Sequence, residues 1–156
     1  MKTEILGLTE VANAAFKSEI FTKTLQNELQ RHFEEKHSNI EKIIECLSDN
    51  KVSLKKFKSY LQLVNDSKRA VGMMPTFEKI GKVVELTTLC EAGLKARIFN
   101  IKFKRGIENI LQNEITKINN VLNILPSSET VTINTLSKRQ MSLATSLDDV
   151  KKLPVN

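Results

Sequence analysis

The chain has 156 residues and a mass of 17.7 kDa, the size of one domain or of one domain with a tail, and too small for a multi-domain enzyme. Hydrophobic residues at 40% and charged residues at 27% exclude disorder throughout. Five glycines and three prolines are too few for the frequent turns of a sandwich or barrel, so the expectation is a mostly helical protein.

In chain order, residues 1–7 read as a short leader, and Thr9-Glu10 as a helix start. Val11, Ala12, Ala15, Phe16, Ile20, Leu25, Leu29 and Phe33 then recur mainly every three to five residues, which predicts one long helix with one buried face. Ser38-Asn39-Ile40-Glu41 has the form of a capping box, at which the helix either restarts or runs straight through. Ile40, Ile43, Ile44 and Leu47 extend the apolar face, and Ser48-Asp49-Asn50 reads as a turn. Ser53 is the expected cap of a second helix that turns Leu54, Phe57, Leu61 and Val64 inward and stops near Gly72 and Pro75.

From Phe77 to Leu125 an apolar stripe at three- and four-residue steps predicts a third, long helix. Within it Phe99, Ile101 and Phe103 alternate with polar residues, which admits a short strand against 130–135. An isolated strand pair is marginal in water, so the stripe favours helix. Unbroken from 76 to 125, such a helix is about 75 Å long. A compact chain of this size has a radius of gyration of about 15 Å, so the helix kinks or the molecule is elongated. After Pro126, nine Ser/Thr in 31 residues predict a flexible polar tail. Within it Leu147, Val150 and Leu153 share the face of a short helix at 147–153, suited to docking on a partner or to packing back on the bundle. The expected architecture is all-α: an elongated antiparallel bundle or coiled-coil-like hairpin of three to four helices over 1–125, then a tail over 126–156.

The net charge of +6 is unevenly placed. Residues 1–50 carry −3, residues 51–106 carry +9, and residues 107–156 balance to zero. The basic third holds Lys51, Lys55, Lys56, Lys58, Lys68, Arg69, Lys95, Arg97, Lys102, Lys104 and Arg105, the candidate contacts for nucleic acid or another polyanion. Lysines also solvate helices, and pairing with the acidic first helix absorbs part of the excess. If residues 54–70 and 77 onward formed an antiparallel hairpin, the clusters at 51–58 and 95–105 would lie near one end.

Catalytic signatures are missing. There is no phosphate-cradling glycine loop. His32 and His37 are five apart, about 140° around a helix, whereas a zinc-binding HExxH pair needs four-residue spacing. No Ser or Cys sits in a nucleophile elbow. Cys46 and Cys90 read as two buried, reduced thiols. The N-terminal residues lack the pattern of a signal peptide, and no apolar run reaches membrane-spanning length, so a cytoplasmic location is expected. These features point to a non-enzymatic interaction protein without cofactor, metal or small-molecule substrate. Such an adaptor, chaperone or assembly factor self-associates and binds a protein partner through helix faces and tail. The alternative is a small nucleic-acid-binding protein that contacts phosphates through 51–106.

Overall fold

The computed structural model describes residues 1–47 and 49–156; Ser48 of the expected turn lies outside the described residues. Among the described residues the chain forms six α-helices and no strand: α1 (Lys2–Lys17), α2 (Lys23–Glu45), α3 (Lys51–Met73), α4 (Leu86–Lys95), α5 (Ile101–Ile124) and α6 (Thr130–Lys152). The all-helical expectation holds. The number of helices exceeds the expected three to four, and each added break has a local cause.

The segment expected to be a leader belongs to α1. Ile5 and Leu8 are fully buried and extend the stripe of Val11, Ala12 and Ala15 toward the N-terminus, with Glu4 in the first turn where a carboxylate suits the helix dipole. Thr9 is therefore inside a helix rather than at its cap.

The long first helix divides at Ser18–Phe21. Glu19 takes the left-handed conformation, with φ of 58°. Its amide donates to the Phe16 carbonyl at 3.1 Å, and the Ile20 amide to the Ala15 carbonyl at 3.0 Å. That is a Schellman closure with glutamate where glycine is usual. Thr22 then caps α2, its hydroxyl accepting from the Leu25 amide at 3.3 Å. At Ser38–Glu41 the helix runs straight through, and the Glu41 carboxylate meets His37 Nδ1 at 3.2 Å. The cap of α3 is Asn50 rather than Ser53; its Oδ1 accepts from the Ser53 amide at 3.1 Å.

The expected 76–125 helix is two helices. Residues 74–85 run beside the α1–α2 turn, with the Phe77 amide donating to the Phe21 carbonyl at 2.8 Å and the Gly81 amide to the Glu19 carbonyl at 3.0 Å. After α4 the chain repeats the first break. Arg97 has φ of 60°, its amide donates to Leu94, and the Ile98 amide donates to the Gly93 carbonyl at 3.0 Å. Asn100 caps α5 by accepting from the Phe103 amide at 2.8 Å. The alternation at 99–103 thus marks a turn and a helix start, not a strand.

The expected flexible tail is also helical. In α6, Leu143, Leu147 and Val150 are buried and Ile133, Leu136 and Gln140 half-buried, a three/four-spaced stripe that packs on α5. The Ser/Thr content occupies the other faces. Lys104 Nζ donates to the Lys151 and Leu153 carbonyls at 2.9 and 2.7 Å, satisfying acceptors the end of α6 leaves free. Asn156 then pairs with the α4–α5 turn: its amide donates to the Phe99 carbonyl at 2.8 Å, and its Oδ1 accepts from the Phe99 amide at 3.0 Å.

Three pairs carry most of the packing: α1 with α4, α2 with α3, and α5 with α6. At the centre α1 and α4 approach closely, since a Cβ on Gly7 would lie 2.7 Å from the Ala96 nitrogen. Gln26 and Gln30 of α2 fasten the end of α3: Gln26 Nε2 donates to the Val71 and Met74 carbonyls at 2.9 and 3.1 Å, and Gln30 Nε2 to the Lys68 carbonyl at 3.1 Å. The chain exposes 9718 Å², against about 7,900 Å² for a compact protein of this mass. Among the described residues no helix is long and apolar enough to cross a membrane.

Candidate interaction surfaces

The eleven basic candidates divide into two groups. Lys68 reaches Glu34 of α2 at 3.0 Å, Lys95 reaches Glu10 of α1 at 3.2 Å, and Arg97 reaches Glu4 at 3.3 Å. Lys104 is occupied with the end of α6. The acidic first third of the chain thus absorbs part of the basic excess by direct pairing. Lys51, Lys55, Lys56, Lys58, Arg69, Lys102 and Arg105 are exposed, and among the described residues none has a carboxylate within 4.0 Å.

The two basic clusters do not share a hairpin. The partner of α3 is α2, with further packing on α1, while the 95–105 cluster sits at the α4–α5 turn. Within 51–58, Lys51, Lys55 and Lys58 follow one face of α3 and line a shallow cavity of about 320 Å³ with Leu54. Lys56 lies on another face, its Nζ 5.9 Å from the Phe57 ring centre and 5.8 Å from that of Tyr60.

The residues expected to dock a partner are used internally. Leu147 and Val150 are buried and Leu153 is half-buried, on the face of α6 that packs against α5 and α4. Of the thiols, Cys90 is buried as expected, whereas Cys46 is exposed, because it follows the last turn of α2 where the chain turns toward α3. Burial in the first place, with Glu91 beside it, pushes the Cys90 thiol up to about 12.

Two further features escape a reading along the chain. The first is an apolar groove of about 310 Å³ between α2, residue 80 and α5, floored by Leu25, Phe103, Ile107 and Ile110. The second is the tip of the α5–α6 hairpin. Ile124 and Val131 are 80% and 79% exposed there, and Val121, in the last turn of α5, is 40% exposed. From Asn119 to Ser137 the only charged residue is Glu129. Composition alone reads that stretch as polar because Ser, Thr and Asn separate the apolar positions. Among the described residues no three His, Cys, Asp or Glu side chains converge as metal ligands would.

The chain is significantly similar to no known protein family, to no curated protein and to no solved structure.

Proposed function

We propose that this chain is a non-enzymatic helical interaction protein, of the adaptor, chaperone or assembly-factor kind, and that it binds a protein partner through the tip of its α5–α6 hairpin. The observation that carries the reading is the exposure of Val121, Ile124 and Val131 in a stretch with a single charge, Glu129. Such an uncharged apolar surface is the kind that protein interfaces bury at their centre. The surface exposed beyond that of a compact protein supports the same role, since a hairpin packed mainly on itself leaves faces for a second molecule. The partner surface complementary to this tip is apolar and carries few charges.

The test places a photo-reactive residue at position 124 of the full chain, in the cells that make it. The expected result is one discrete adduct that disappears when Val131→Asp is added while helix content is unchanged. An adduct whose mass is twice that of the chain identifies the partner as a second copy. Diffuse labelling, or an adduct indifferent to Val131→Asp, contradicts the proposal.

A further inference from the structure

The α2–α3 hairpin carries a second surface of different chemistry. In α3 six basic side chains stand against one acid, Asp66, and four of the six fall within the first eight residues. Lys51, Lys55 and Lys58 lie within about 60° of arc, at rises of about 6 and 10.5 Å from the first to the second and third. All three are exposed, and with Leu54 they line one shallow cavity. Glu41, Glu45 and Asp49, the acids that precede α3 in the sequence, do not come within 4.0 Å of any of them. The position is unfavourable for the helix itself, since cations near the positive end of the dipole are destabilising. Elsewhere in the basic third Lys68, Lys95, Arg97 and Lys104 have intramolecular partners.

We infer that this face of α3 is a docking site for the phosphate backbone of duplex nucleic acid, read without base contacts. A straight row of ammonium groups on a rigid helix suits a regular, densely charged backbone. A bilayer is a poorer match because the apolar face of α3, with Phe57, Leu61 and Val64, is packed against the bundle and is not free to enter lipid. A stacked single strand is also a poorer match. Phe57 and Tyr60 are half-buried, pack edge-to-face at 5.6 Å and are attended by Lys56, so neither ring face is offered to a base. This site is separate from the α5–α6 tip and does not depend on the protein-partner reading.

The experiment measures anisotropy of a labelled DNA duplex of about 20 base pairs with the full chain, at several salt concentrations between roughly 50 and 200 mM. Three to four neutralised phosphates predict a log–log slope of about −2.7 to −3.6, a loss of roughly 40- to 150-fold across that range. Lys51→Glu/Lys55→Glu/Lys58→Glu should abolish binding. Lys79→Glu/Lys138→Glu/Lys152→Glu, which makes the same charge change at exposed sites, should leave most of it. Single Lys→Gln changes in the stripe should each flatten the slope by about 0.9. Equal loss in both triple variants would mean that net charge alone acts and would overturn the inference. So would an absence of duplex binding at the lowest salt, or stripe-dependent binding to phosphatidylserine vesicles with none to the duplex.

Discussion

A methyl group has opposite effects at two of the glycines. At Gly7 a Cβ would meet the backbone of Ala96 at 2.7 to 2.8 Å, and the two central helices would have to separate. Gly7→Ala should therefore destabilise the protein by about 1–3 kcal/mol despite the better helix propensity of alanine. At Gly106, inside α5, nothing lies within 4 Å, so Gly106→Ala should stabilise by up to about 1 kcal/mol. Urea titration of the two variants checks the opposed signs. The thiols make a similar contrast. An exposed Cys46 and a buried, high-pKa Cys90 predict that a thiol reagent titrates one cysteine in the native protein and two in urea.

Glu4 ties α1 to Lys36 of α2 and to Arg97 beyond α4. Burial alone raises its carboxyl, but Lys36, the amino terminus and Arg97 outweigh that and hold it below the ordinary 4.5. The unfolded chain therefore takes up the proton first on acidification. The stabilisation is present above about pH 4.5 and is lost as pH falls through the folded-state value. Glu4→Gln should lose less stability than the parent chain between neutral pH and pH 3, measured by thermal melts. Both residues that close their helices in the left-handed conformation without glycine, Glu19 and Arg97, accept a backbone cost of about 1 kcal/mol. For that reason neither break was legible in the sequence.

At the scale of the element, apolar periodicity located α3 well and marked the buried stripes of α2 and α5 without their starts, because each buries a stripe at three- and four-residue spacing. It failed in two ways. Stripes on consecutive helices ran together where Thr22 and Asn100 caps lay inside an apparently continuous pattern. In α6, abundant Ser and Thr concealed a stripe that folding places against α5. For α3 the element-scale prediction follows from its basic first turns. Lys51→Glu puts an acid at the positive end of the dipole and should stabilise the protein by about 0.3–1 kcal/mol, while it flattens the salt dependence of duplex binding by about 0.9. Parallel urea and anisotropy titrations read both effects; a variant that is less stable would contradict the dipole argument.

At the scale of the molecule, the central α1–α4 pair is joined by two hairpins of unlike chemistry, α2–α3 with its basic outer face and α5–α6 with its nearly uncharged apolar tip. Charge blocks in the sequence indicated the first surface, but only the fold separates lysines that are engaged by Glu34 or Glu10 from those that are free. The second surface was not legible, because Ile124 and Val131 become neighbours of solvent rather than core through the way α5 turns into α6. The second surface depends on α6 being a folded partner of α5. Native-state hydrogen exchange of the full chain tests that most directly. Slowly exchanging amides are expected through the buried stripe from about Leu136 to Val150, protected together with those of Ile107 to Ile118, because the two helices share one interface. Rapid exchange throughout residues 130–152, with α5 protected alone, would contradict it and remove the apolar tip as a defined surface.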